Sequence, residues 1–203
     1  MPSAKVIVVT GLPGAGKSTL ARDLARYYHL PLAAKDLIKE PLLDVLGAGD
    51  AAQSRRLSDA SFAVLFRLAR EWAANGISFV LEGNFRPGEH ESPLHEAVSS
   101  ADLAQILCRV PEAERLARLA ARENDPSRHP GHRFGVRQGA PAAAAAAAVA
   151  NMATVDRPAA IVAATGCDAF LDLPSARFVH DGVSHRTVLG EIENWMNLRA
   201  ASL

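Results

Sequence analysis

The chain has 203 residues, 49% of them hydrophobic and 22% charged, enough for one well-buried α/β domain with an insertion and short for two full domains. Lysine and arginine number 22, as do aspartate and glutamate, so no global field favours nucleic acid or an anionic membrane, and phosphate recognition has to come from local clusters. No apolar stretch approaches membrane-spanning length, and the two cysteines, Cys108 and Cys167, lack metal-ligand spacing and suit small buried hydrophobes in a reducing compartment.

The first predicted element is the apolar run Val6-Ile7-Val8-Val9, which reads as a buried strand. It leads into Gly11-Leu12-Pro13-Gly14-Ala15-Gly16-Lys17-Ser18, a complete G-x-x-x-x-G-K-[ST] phosphate-binding loop. The four fixed positions coincide by chance at roughly 4 in 100,000 sites, so a glycine turn that merely happens to contain lysine is a poor rival. Such a loop curls its backbone amides inward around a polyphosphate, and the helix that follows adds the positive end of its dipole. Gly11, Gly14, Ala15, Gly16, Lys17, Ser18 and Thr19 are therefore the expected nucleotide-binding residues. Lys17 reaches the β and γ phosphates, and the Ser18 hydroxyl is the expected magnesium ligand. With the loop starting at residue 11, no room precedes it for a secretory signal, and a cytoplasmic location is expected.

The helix after the loop should end near Tyr28-His29-Leu30, ahead of Pro31. Leu32-Ala33-Ala34 reads as a short second strand closing on Lys35-Asp36, and Leu37 to Leu46 as a helix stopped by Gly47 to Gly49. Leu57 to Ala74 carries Phe62, Leu65, Phe66, Ala69 and Trp72 at helical spacing, which marks a core face. After the Asn75-Gly76 stop, Ile77 to Leu81 reads as a buried strand ending in Glu82-Gly83-Asn84. A further strand is expected at Leu103 to Val110, then an arginine-bearing helix from Glu112 to Glu123 opened by Pro111. Asn124 to Gly139, rich in Pro, Gly, His and Arg, has the composition of a flap, and His129 and His132 in it read as parts of a turn. The alanine run of 140–150 favours helix, continuing to about Asp156 before Arg157-Pro158. Arg177 to His180 is the last expected strand, and Ser184 to Arg199 an amphipathic helix with Val188, Ile192, Trp195 and Met196 inward. This alternation predicts a doubly wound parallel α/β sheet, a P-loop NTPase fold of the nucleoside-kinase-like type, with helices on both faces. The expected organisation is a single domain over 1–203 with a short lid at about 112–139.

In such a sheet the ligand sits at the carboxyl ends of the strands, where Asp36 and Glu82 both fall. Two carboxylates beside a magnesium-bound triphosphate suggest a division of labour. One would deprotonate an acceptor hydroxyl, and the other would hold the metal's water shell or the substrate. The competing readings are a helix cap for Asp36 and an exposed strand-end carboxylate for Glu82. Arg115, Arg118 and Arg122 share one face of the next helix, where they would either neutralise the transferred phosphoryl group or form an ordinary solvated face.

Gly11 to Ser18 with Asp36, then Glu82-Gly83-Asn84-Phe85-Arg86, then the arginine helix, resemble the P-loop small-molecule kinases that include zeta toxins and chloramphenicol phosphotransferase. The resemblance spans roughly residues 5 to 135 and is most specific at the phosphate loop. It implies Asp36 as the catalytic base, since that group carries an aspartate after the second strand. It implies that Glu82, Asn84 and Arg86 hold the acceptor, matching a Glu-Gly-Thr-x-Arg segment with asparagine in place of threonine. It also implies Arg118 and Arg122, together with Lys17, as the groups that neutralise phosphate charge. The resulting expectation is an ATP- and Mg2+-dependent kinase that transfers the γ-phosphoryl group to a hydroxyl of a small-molecule acceptor, with nucleic acid not expected as a partner. The alternative is a P-loop ATPase that couples hydrolysis to a protein or nucleic-acid partner. A binding module without turnover is a third reading, disfavoured by the presence of Lys17, Ser18, Asp36 and Glu82 together.

Overall fold

The computed structural model of the chain describes residues 3–47, 50–123, 125–126, 129, 167–182 and 185–198. The expected alanine-rich helix of 140–150, its continuation to Asp156, His132 and most of the flap lie outside the described residues. Five parallel strands form one sheet in the order β2-β3-β1-β4-β5: β1 (Ala4–Gly11), β2 (Leu32–Ala34), β3 (Phe79–Glu82), β4 (Ala101–Cys108) and β5 (Ala176–His180). Six helices accompany them among the described residues: α1 (Lys17–Tyr27), α2 (Lys35–Leu46), α3 (Ala51–Ala74), α4 (Glu91–Val98), α5 (Glu112–Glu123) and α6 (His185–Leu198).

Both faces of the sheet are buried, which is why its central strands read as unbroken apolar runs. Strand alternation sends Val6 and Val8 to one face, where they meet Phe62, Leu65 and Ala69 of α3 and Leu94 and Val98 of α4. It sends Ile7 and Val9 to the other face, against Leu20, Ala21 and Leu24 of α1 and Val188 and Ile192 of α6. The doubly wound expectation is met on both sides. Cys108 and Cys167 are both buried free thiols, and burial pushes the Cys108 thiol up to about 12, so it behaves as a small hydrophobe at neutral pH.

Helix boundaries have identifiable local causes. α1 starts at Gly16, whose φ of 90° places it in the left-handed region that glycine enters without cost. α3 begins six residues before Leu57, at Ala51, because the Asp50 carboxylate caps it by accepting a bond from the Gln53 amide at 2.8 Å. α4 was not anticipated. Its eight residues, Glu91 to Val98, fill the connection between β3 and β4 and bury Leu94, Ala97 and Val98. The buried Gln105 of β4 receives the Leu171 amide at 2.9 Å and donates to Leu171 O at 3.1 Å and Ser175 Oγ at 2.7 Å. A buried amide thus fastens the chain just before β5 to the middle of the sheet.

Candidate active site at the carboxyl ends of the strands

The strand register brings the predicted residues together. Val9 of β1 and Ala34 of β2 both pair with Glu82, so the phosphate loop, Asp36 and Glu82 leave the sheet at the same level. In the phosphate loop Ala15 N donates to Leu12 O at 3.1 Å, closing the turn, and Lys17 Nζ rests on Leu12 O at 3.1 Å. Gly14 has φ 86°, and a Cβ there would lie 3.0 Å from Arg115 O and from Leu119 Cγ. A side chain at this position would therefore be strained in its backbone and crowded by α5. Ala15 is buried, and Thr19 is exposed one residue after Ser18.

Glu82 is 5% exposed, which excludes the reading of a solvated strand-end carboxylate. Its Oε2 accepts from Ser18 Oγ at 3.3 Å. Burial raises its pKa, with the nearby Lys17 ammonium pulling the other way and Asp36 reinforcing the rise. The carboxylate and the Ser18 hydroxyl together form a partly buried pair of hard oxygen ligands beside the loop, a donor set that suits magnesium. No group of three or more histidine, cysteine, aspartate or glutamate side chains able to hold a metal occurs among the described residues. A divalent ion at this place would need further oxygen ligands, such as water or phosphate oxygens.

Asp36 stands in the first turn of α2, while the cap position is Ala34, so the carboxylate is not the helix cap. Its side chain is half exposed and pairs with Lys35 Nζ at 3.2 Å. One turn on, Lys39 is 6% exposed and donates to Ser54 Oγ at 3.1 Å and Ser58 Oγ at 2.8 Å on α3. Burial and the neighbouring Lys35 push its ammonium down to about 8, against the pull of Asp36 and Asp59. The sequence carried no signal for this residue, since a lysine within an amphipathic pattern reads as solvated. In the unfolded chain Lys39 keeps its proton to a higher pH, so its contribution to stability rises between about pH 8 and 10.5. The stability of the wild type relative to Lys39→Met is expected to improve over that window by up to about 3 kcal/mol, measured by urea denaturation at several pH values.

The segment after β3 is built differently from its neighbours. Arg86 Nη1 pairs with Glu89 Oε2 at 2.8 Å, and its buried Nε has no hydrogen-bond partner. The Arg86 amide donates to His90 Nδ1 at 2.9 Å, and the His90 ring packs on Phe62 with centroids 4.1 Å apart. Burial lowers the pKa of His90. Cys167 Sγ reaches Asn84 O at 3.3 Å, so the chain before β5 touches this segment as well. Asn84 and Arg86 are both partly buried here.

The three arginines of α5 do not act as one face. Arg115 is buried against the back of the phosphate loop. Arg118 lies at its mouth, with Nη1 3.5 Å from where a Cβ on Gly16 would sit and Nη2 3.8 Å from the same point on Gly182. Its Nη2 also pairs with Glu114 at 2.5 Å. Arg122 is exposed one turn further. His129 reaches Asp44 Oδ1 of α2 at 2.9 Å.

A family model described as an AAA domain matches residues 6–155, from the third residue of β1 to beyond α5. The chain belongs to this AAA domain family. No curated protein matches the sequence significantly. Among solved structures, this AAA domain chain is similar to a protein of Chloroflexus aurantiacus provisionally described as a kinase, with 24% identity, a TM-score of 0.77 and 95% and 98% of the two chains covered. It is also similar to the APS kinase of Mycobacterium tuberculosis in complex with AMPPNP and APS, at 17% identity and TM-score 0.54, covering 97% of this chain and 99% of that one. A shikimate kinase of Bacteroides thetaiotaomicron matches at 16% identity and TM-score 0.54, with the same coverage. At these identities the likeness establishes the α/β P-loop fold. No helix among the described residues is long and apolar enough to cross a membrane.

Proposed function

We propose that the chain is an ATP-dependent kinase acting on a hydroxyl of a small-molecule acceptor, of the kind suggested by its resemblance to zeta toxins and chloramphenicol phosphotransferase. The observation that carries this reading is the convergence of Lys17, Ser18, Glu82 and Asp36 on one level of the sheet, reinforced by the Ser18 to Glu82 bond. The APS kinase neighbour, whose structure contains AMPPNP, supports nucleotide binding by this fold. The loop amides and Lys17 would hold the phosphates, with Lys17 leaving Leu12 O to do so. Ser18, with Glu82 behind it, would hold a magnesium ion, which when bound supplies charge neutralisation across the phosphates.

Asp36 would accept the acceptor's proton. It is half exposed and stands just past a strand end, where a substrate can approach, and it pairs with Lys35 Nζ at 3.2 Å. Glu82, 5% exposed and bonded to the Ser18 hydroxyl, would stand on the metal or substrate side rather than meet the acceptor's hydroxyl. Arg118 is the lid arginine best placed for the transferred phosphate, with Arg122 entering only if α5 moves toward the loop. Asn84 and Arg86 would border the acceptor, with the Asn84 carbonyl held by Cys167, the Arg86 amide by His90 and the Arg86 side chain by Glu89. Phosphoryl transfer needs positioning and charge stabilisation more than covalent help, and this site offers both. The test is a screen of hydroxyl compounds for acceptor-stimulated ADP formation, with Asp36→Asn as the blank. Stimulation by one compound class that is lost in the blank supports a kinase, whereas acceptor-independent hydrolysis equal in both proteins rejects it.

A further inference from the structure

Arg115 is 2% exposed, an unusual environment for a guanidinium. It sits in the first half of α5, and Nη1 donates to Pro13 O of the phosphate loop at 3.3 Å. Its Cγ lies 3.1 Å, and its carbonyl oxygen 3.0 Å, from where a Cβ on Gly14 would be. The residue therefore packs along its length against Pro13 and Gly14 of the loop. Its Nη2 is buried and has no hydrogen-bond partner. Among the described residues the one carboxylate in ion-pair range is Glu112, 3.9 Å away and 59% exposed.

A dehydrated charge with one long carbonyl contact and one distant, hydrated counter-ion is poorly compensated. An apolar side chain of similar length would pack between α5 and the loop at lower cost, and α5 already sends Leu119 there. We propose that Arg115 is a positioning residue for the phosphate loop, whose uncompensated buried charge is matched when an anionic polyphosphate enters the loop. Its hydrogen bond holds Pro13 and Gly14 in the gripping shape, and its field, weakly screened in the interior, adds to that of the loop amides. This inference rests on the nucleotide reading proposed above and assigns Arg115 a role separate from that of Arg118 at the mouth of the loop.

The test compares the full-length wild type, Arg115→Met and Arg115→Lys by calorimetric titration with ADP and with adenosine, and by urea denaturation. Arg115→Met is expected to be at least as stable as the wild type and yet to bind ADP about tenfold more weakly, with adenosine binding little changed. Arg115→Lys, which keeps the charge, should recover most of the ADP affinity. With an active acceptor in hand, KM for ATP should rise in Arg115→Met by more than kcat falls. A residue with only a packing role gives the opposite pattern, a less stable Arg115→Met whose folded fraction binds ADP as the wild type does, and that result overturns the proposal. If Arg115→Met does not fold, its predicted stability is wrong; Arg115→Gln, which retains a donor for Pro13 without the charge, then decides, and wild-type ADP affinity in it rejects the charge-based role. A wild type that binds neither ADP nor ATP removes the nucleotide reading itself, and the role of Arg115 falls with it.

Discussion

Lys17→Ala is expected to lower turnover by at least about a hundredfold and to weaken ATP binding as well, a larger combined loss than any other single substitution in the phosphate loop outside its glycines. The ammonium is already gathered to the loop by Leu12 O at 3.1 Å, so little reorganisation is needed for it to reach a phosphate. Removing it deletes the sole cationic side chain of the Gly11–Ser18 loop. It also removes the charge that opposes the burial-driven rise in the pKa of Glu82. The variant should therefore show Glu82 protonated to a still higher pH, a second effect visible as an upward shift of the acidic limb of the pH–rate profile. Lys17→Arg is not a conservative repair, because a planar fork cannot replace a compact ammonium in the space beside Leu12 O. Titration with ATP, followed by single-turnover measurements at saturating nucleotide, separates the binding loss from the chemical one. Unchanged ATP affinity and unchanged rate in Lys17→Ala would remove the loop from the mechanism.

Asp36→Asn is expected to divide the same quantities differently. Nucleotide affinity should stay within about twofold of the wild type, while acceptor phosphorylation falls by roughly two to four orders of magnitude, the range a general base supplies. The geometry supports that separation. Asp36 pairs with Lys35 rather than with the phosphate loop, and it does not cap α2, so asparagine removes a charge without unravelling the helix. The first turn of α2 loses only a favourable dipole interaction, worth about 0.3 to 1 kcal/mol, which thermal denaturation should register as a small change. The decisive readout is the ratio of acceptor phosphorylation to background hydrolysis at saturating ATP. If Asp36→Asn phosphorylates the acceptor at the wild-type rate, the base lies elsewhere.

The parts of this molecule that could be read from the chain are those dictated by local rules. The phosphate loop is legible because its glycines and lysine answer a geometric requirement that few sequences meet by accident. The central strands are legible because burial on two faces demands unbroken apolar runs, and the start of α5 because Pro111 opens it. α4 was missed because eight residues give too little periodicity to distinguish a helix from a turn. The early start of α3 was missed although Asp50 and Gln53 spell a cap, because Gly47 to Gly49 dominated the local reading. Among site residues, Glu82 could be placed at a strand end but not known to be buried, since burial depends on which helix lies over it. The separation of Arg115 from Arg118 was likewise hidden. Spacing three apart puts both on one helix face, yet only the tilt of α5 against the loop decides which guanidinium goes beneath and which stays at the mouth. Lys39 and its two serines are a tertiary meeting of α2 and α3, with no trace in either segment alone.

The junction between β2 and α2 has no intervening residue: the strand ends at Ala34 and the helix starts at Lys35. Asp36 thus inherits its position from the edge of the sheet with almost no slack, and Lys39 bolts the next turn to α3. A carboxylate mounted this stiffly cannot travel to meet its target. On the proposed kinase reading, the acceptor hydroxyl would have to be delivered to this aspartate, the fixed jaw of the vice, rather than met by it.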